Sequence, residues 1–346
     1  MKARPTSNPD NRFARETVAY EEGEAPESPV ELIDDASKSI LSRNDSPDVA
    51  FEWSVNPYRG CVHACAYCYA RPYHEYLGYG AGTDHDTKII VKRDAAKLLR
   101  EAFERPSWKG DLVVFSGVTD CYQPVEAKLG LTRACLEVCA AYRNPVGLIT
   151  KAPLVERDLD LLVRLSREAR VEVRVSLPFI DAANARAIEP WVATPQRRLE
   201  TIRRLADAGV TVGVNVAPVI PGLNDEELPA VLEAARRAGA TRAGWVLLRL
   251  PGAVAPVFEE RLRAAFPDRA DRVMHRIRET RGGELYDVRF GARGRGTGLY
   301  ASTLSLLFDV TTRRFGFERG FLEPGEEGTT FRRPPRPGSQ LSLFGD

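Results

Sequence analysis

Residues 146–176 read VGLITKAPLVERDLDLLVRLSREARVEVRVS, and their pattern sets the expectation for the whole chain. Two short runs, 146–150 and 171–176, read as strands: the first is nearly continuous in apolar or β-branched residues, as a strand covered on both faces should be, and the second places valine at every other position. Between them, residues 154–169 repeat leucine and valine at helical spacing. The unit is strand, helix, strand. A strand returning parallel to its predecessor needs such a crossover, which is right-handed in nearly all cases.

Working outward, the same alternation recurs on both sides. Further strands are expected at 52–55, 111–116, 210–217 and 243–248, and helices at 93–103, 128–142, 195–208 and 225–238. Gly209 and Gly239 are placed as helix C-caps. Asn224 is placed as an N-cap, with Glu227 three residues on. Six β/α units are too few for a closed eightfold barrel. The expected fold is α/β, a partial (β/α)6 TIM-like barrel of parallel strands with flexible N- and C-terminal tails. The expected divisions are a mostly disordered segment at 1–48, the (β/α)6 core at 49–282, an Arg-rich extension with a helix at 283–322, and a linker and tail at 323–346. In such folds, chemistry sits at the C-terminal ends of the strands.

The chain has 346 residues, a formal net charge of +1 and 43% apolar residues. These values fit a globular protein with a large core and leave its partners undecided. No run approaches the roughly 18 apolar residues of a membrane span. Residues 1–16, MKARPTSNPDNRFARE, lack the apolar stretch of a secretory leader, so a cytoplasmic location is expected.

Three of the six cysteines crowd into Gly60-Cys61-Val62-His63-Ala64-Cys65-Ala66-Tyr67-Cys68-Tyr69, just after the first expected strand of the core. The spacing C-x3-C-x2-C offers three soft thiolates on one loop. Each can hold one iron of a cubane cluster and leave the fourth iron open to a ligand. A structural zinc is the alternative, with His63 or His74 as fourth ligand, although no second ligand pair accompanies the motif. Three buried apolar cysteines are the other alternative.

C-x3-C-x-aromatic-C after a first strand resembles the signature of the radical SAM superfamily. The resemblance implies that Cys61, Cys65 and Cys68 bind a 4Fe–4S cluster. It also implies that the open iron takes S-adenosylmethionine (SAM), which the reduced cluster cleaves to a 5′-deoxyadenosyl radical. Tyr67 would lie near the adenine. Ser116, Thr119 and Asp120 stand where the family has a glycine-rich, acid-containing stretch. Ser176 and Gly222 close later strands at positions that meet SAM. At these strand ends, helix capping is an ordinary alternative.

The segments Asn56-Pro57-Tyr58-Arg59-Gly60-Cys61, Tyr67-Cys68-Tyr69-Ala70-Arg71, Gly117-Val118-Thr119-Asp120-Cys121-Tyr122-Gln123-Pro124 and Ala217-Pro218-Val219-Ile220-Pro221-Gly222 resemble the branch containing spore photoproduct lyases. That resemblance spans most of 52–320 and implies action on damaged or modified DNA bases. It makes Cys121 and Tyr122 candidate catalytic residues. One departure stands out. The lyases carry a hydrogen-donating cysteine just before an aspartate, whereas Cys121 follows Asp120; its alternative reading is a small buried apolar residue. Tyr122, Gln123, Glu126, Lys151 and Arg249 are further candidates for substrate contact.

Arginines crowd 269–319, either to grip phosphates or as a solvated face. The last residues include Gln340-Leu341-Ser342-Leu343-Phe344, which resembles the short peptide that docks bacterial proteins on the DNA sliding clamp. Leu343 and Phe344 would fill a pocket, Leu341 would add contact, and Gln340 would hydrogen-bond. Expected partners are DNA, the clamp, and an electron donor such as flavodoxin or ferredoxin. Other substrate classes remain open: a small molecule, a peptide or RNA. So does a metal- or cluster-bearing protein without radical chemistry.

Overall fold

The computed structural model describes residues 7–13, 29–318, 320 and 328–335. Among the described residues ten strands form: β1 Glu31–Asp34, β2 Leu41–Arg43, β3 Trp53–Val55, β4 Tyr58–Arg59, β5 Lys88–Val91, β6 Val113–Phe115, β7 Val146–Thr150, β8 Val171–Ser176, β9 Thr211–Val219 and β10 Arg242–Leu247. Seven make one sheet in the order β10-β9-β8-β7-β6-β3-β2. From β3 to β10 every neighbour is parallel, and β2 adds an antiparallel edge. β10 and β2 are the two edges, so the barrel is open. The six expected core strands all form, with ends shifted by no more than two residues.

The crossover helices cover the outer face. Ala95–Glu104, Leu131–Ala141, Leu159–Glu168, Pro195–Asp207 and Leu228–Arg237 bury Leu99, Leu136, Leu162, Ile202 and Leu232 against the sheet. Burying each such side chain is worth about 1.5–3 kcal/mol. Gly209 and Gly239 end their helices at φ +82° and +105°, where a Cβ would be strained. Three expected helices are shorter than the pattern suggested, the one expected at 225–238 because residues 225–227 wind as a 3-10 turn before Leu228–Arg237. Gly130, at φ +64°, splits Glu126–Leu129 from Leu131–Ala141, and residues 153–158 wind as a tighter 3-10 turn. Asn224 does not cap through its side chain. Its amide instead ties three loop backbones: it accepts from Ile220 N and donates to Pro178 O and Pro218 O.

Part of the segment expected to be disordered is ordered. β1 pairs in parallel with β5, which pairs with β4, giving a second small sheet. β2 pairs with β3, and Ile40 is buried in the main core. Proline and acid-rich surroundings hid these short strands. Residues 328–335, expected in the linker, also pack. Phe331 lies against Phe103 and Tyr142, and Arg333 donates to Phe103 O, Arg105 O and Trp108 O. The helix Gly298–Arg314 buries Leu304 and Phe308, with Phe308 beside Trp245 of β10. Gln340, Leu341, Leu343 and Phe344 lie outside the described residues.

Candidate active site

β3 runs into β4, and the cysteine loop comes next, at the C-terminal rim of the sheet. Gly60 starts the loop at φ +78°, and a Cβ there would come within 2.8–2.9 Å of His74 Cε1, His85 O and Lys88 O. Only glycine fits that turn. Backbone bonds shape the rest of the loop: Cys61 N to His85 O (3.0 Å), Ala64 N to Cys61 O (3.1 Å), Cys68 N to Cys65 O (3.2 Å) and Ala66 N to Ile188 O (3.1 Å). Gln123, beyond the end of β6, clasps the loop. Its Oε1 accepts from Val62 N and its Nε2 donates to Gly60 O, each at 3.0 Å.

Arg71 is fully buried beneath the loop. It donates to Cys65 O, Ala81 O and Gly82 O and pairs with Asp86 at 3.0 Å. The structure thus fixes the loop through backbone groups, and all three thiols are free of disulfides. Burial raises the Cys61 thiol and pushes Cys65 up to about 12, although Lys151 opposes it at Cys65. Burial acts the same way at Cys68, but His85 and Arg71 outweigh it and bring that thiol down to about 7. His85 is itself oriented by Asp86, Nδ1 to Oδ1 at 3.1 Å.

Tyr67, expected near a cofactor, is buried with its hydroxyl donating to Glu189. Glu189 pairs with the buried Arg198, which donates to Ser176 O at 2.9 Å. Ser176 is thereby held at the end of β8. The Lys151 ammonium lies 5.7 Å from the Tyr67 ring centroid. Asp120 is a hub: it accepts from Tyr122 N (3.0 Å), Thr150 Oγ1 (2.8 Å) and Lys151 N (2.8 Å), with His63 Nδ1 at 3.5 Å. Ser116, at φ +69°, accepts from Cys121 N at 2.8 Å. The Thr119 hydroxyl is buried without a hydrogen-bond partner among the described residues. Gly222, at φ +77°, donates to Asp225 at 2.9 Å and accepts from Arg269.

Cys121 and Tyr122 belong to the main hydrophobic core. The Cys121 thiol is fully buried against Ser116 and Thr132, and the Tyr122 hydroxyl donates to the buried Asp158 at 3.0 Å. Cys121 therefore has the surroundings of the small buried apolar residue. Gln123 and Glu126 brace the loop and core rather than line an opening, with Glu126 held by Tyr58, Arg157 and Thr132 N. Glu189, Arg198, His85 and Asp86 gave no signal in the sequence, since their partners lie tens of residues away or carry no motif. Tyr69 was visible only as part of the loop motif. It is 40% exposed, donates to Gly117 O, and carries the Arg249 guanidinium 5.5 Å from its ring centroid.

A family model, the radical SAM superfamily, matches residues 55–235. The chain belongs to the radical SAM superfamily. An uncharacterised protein of Mycobacterium tuberculosis is 40% identical over 240 residues, covering 68% of this radical SAM chain and 70% of that one. An uncharacterised protein of Methanocaldococcus jannaschii is 28% identical over 200 residues, covering 58% and 72%. Among solved structures, spore photoproduct lyase complexed with dinucleoside spore photoproduct matches with a TM-score of 0.59 at 17% identity, over 83% of this chain and 81% of that one. A variant of the lyase matches with a TM-score of 0.60 at 16% identity, over 84% and 82%. At these identities the likeness is one of fold.

The protein is thus a radical SAM enzyme, and membership implies a 4Fe–4S cluster and SAM. The donor set is of the kind such a cluster takes: Cys61, Cys65 and Cys68 lie on one loop, free of disulfides, and soft thiolates suit iron–sulfur chemistry. No helix among the described residues is long and apolar enough to cross a membrane.

Proposed function

We propose that this enzyme holds a 4Fe–4S cluster through Cys61, Cys65 and Cys68, binds SAM beside it, and acts on a damaged or modified base in DNA. The observation that carries the reading is a rigid loop with three free thiols at the C-terminal rim of an open parallel barrel. When bound and reduced, the cluster would supply the electron that cleaves SAM to a 5′-deoxyadenosyl radical.

The chain's own residues supply position and shelter. Gly60, Gln123 and Arg71 hold the loop, so the thiols need little rearrangement to take iron. The buried Thr119 hydroxyl has no hydrogen-bond partner among the described residues and would hydrogen-bond a polar group of SAM. Lys151, half-buried near Cys65 and Glu189, offers a cation to an anionic group, and Tyr67 walls that side. DNA as substrate is supported by the fold shared with the lyase, whose structure contains a dinucleoside photoproduct.

The test is anaerobic reconstitution, reduction and assay of 5′-deoxyadenosine with and without lesion-bearing DNA. Stimulation by the lesion is expected. Release that ignores every DNA substrate would move the reading toward a small molecule, peptide or RNA. Reduction in the cell requires a donor such as flavodoxin or ferredoxin. We further propose that residues 340–344 dock the enzyme on the bacterial sliding clamp. A peptide of residues 336–346 should bind a clamp and lose binding on Phe344→Ala. No binding at high micromolar clamp concentrations would refute the docking.

A further inference from the structure

Beyond the cysteine loop, the rim past the end of β10 gathers charge that its neighbours do not balance. Four guanidiniums, those of Arg249, Arg281, Arg289 and Arg293, face two carboxylates, Asp48 and Asp287. Both carboxylates are engaged. Asp48 accepts from Gly291 N at 2.5 Å and pairs with Arg293; Asp287 pairs with Arg289 at 2.6 Å. Arg281 commits its terminal nitrogens to Leu248 O and Ala292 O, each at 2.6 Å. Burial and the nearby Arg249 bring Arg281 down to about 10, against the pull of Asp287.

Arg249 is left with little. Among the described residues its side chain makes one long hydrogen bond, Nη2 to the Tyr286 hydroxyl at 3.4 Å, and its Nε is buried without a partner there, as is that of Arg281. A buried donor without an acceptor is costly, so such a site suits a ligand or water that supplies the acceptor. The half-buried Arg249 stacks on Tyr69, one residue after Cys68, which places it beside the reactive loop. On the segment that begins with its partner Tyr286, Val288 and Phe290 are 74% and 58% exposed, with Arg293 over the Phe290 ring at 4.4 Å; Arg293 and Arg249 both act on Asp48.

We propose that Arg249 is a receptor for a backbone phosphate of a nucleic-acid strand, with Phe290 offering an adjacent platform for a base. This rests on the proposed action on DNA and names the residues that grip it. A guanidinium short of partners suits an oxyanion, and excess positive charge from Arg281 strengthens the attraction. The exposed aromatic favours a strand over a free phosphate, because strand-binding surfaces pair cations with stacking faces.

The experiment uses the full-length reconstituted enzyme and a fluorescein-labelled single-stranded oligonucleotide, with anisotropy read across a salt series. Arg249→Gln should bind about tenfold more weakly, with the log–log salt slope shallower by about 1. Phe290→Ala should weaken binding about tenfold by loss of stacking. Arg313→Gln removes the same charge at the far end of the helix Gly298–Arg314 and should change affinity by no more than about twofold. Iron content, read in parallel, reports that each variant has folded.

Wild-type affinity and slope in Arg249→Gln would overturn the inference. So would equal weakening in Arg313→Gln, which would mean diffuse attraction. Loss of inorganic phosphate binding with unchanged oligonucleotide affinity would overturn the nucleic-acid assignment. SAM cleavage without oligonucleotide is read separately, so failure of the radical reaction is distinguishable from failure of this site.

Discussion

Cys68 differs from its two companions because of what faces it. Cys61 and Cys65 are buried and pushed toward the thiol, while His85 and Arg71 favour the thiolate at Cys68. All three must ionise to take iron. Replacing any one by alanine should reduce iron in the reconstituted protein to background, as measured by iron and sulfide analysis. Retention of a full complement in any single variant would contradict the ligand assignment. Cys121 should behave otherwise. It is a core residue, so Cys121→Ala should cost about 1–2 kcal/mol in urea unfolding while SAM cleavage stays within about twofold. A loss of turnover with normal iron would restore Cys121 as a chemical participant. The cysteine loop was legible as a candidate site because three soft donors within eight residues suit a metal or cluster far better than a core. The braces were not: Glu189 meets Tyr67 across 122 residues, and the pairing of Arg71 with Asp86 depends on how the chain turns back.

The cysteine loop as an element depends on one backbone position and one pair of buried rings. Gly60→Ala would place a methyl group against two carbonyl oxygens at 2.9 Å, on a left-handed backbone. A stability loss of more than about 1 kcal/mol is expected, together with slower iron loading, both measurable on the anaerobic protein. His74 packs edge-on to His85 and bonds Lys88 O through Nε2 at 2.9 Å. Burial, with His85 adding to it, lowers its folded value from 6.5 to about 4. The unfolded chain therefore binds a proton that the folded chain refuses. Stability is present above about pH 6.5 and falls toward pH 4, by up to about 3 kcal/mol. Urea unfolding between those limits should show the slope, and His74→Gln should flatten it; an unchanged slope would show that His74 is not its source. The strands were readable because each core strand is rich in apolar or β-branched residues, either nearly unbroken as in β6 and β7 or with valine at every other position as in β8. β1, β2 and the strap at 328–335 were not, because their order comes from pairing and aromatic contacts made elsewhere in the fold.

Across the whole molecule, structure and chemistry are separated. Residues 328–335 fasten the outer helices beside Phe103 and Trp108, while the cysteine loop, Lys151 and Arg249 occupy the strand ends. Phe331→Ala should therefore destabilise the protein by about 3–5 kcal/mol and leave iron loading per folded chain unchanged. Loss of iron in parallel with that variant, at temperatures where it remains folded, would show that the two ends are coupled. The arginines Arg249, Arg281, Arg289 and Arg293 follow β10, at one edge of the open sheet. The most direct test of the account is reduction of the anaerobically reconstituted enzyme in the presence of SAM. About four iron and four sulfide per chain, with 5′-deoxyadenosine released, is the predicted result. A tetrahedral zinc on these cysteines, or a fully loaded, reduced cluster that leaves SAM intact, would contradict it.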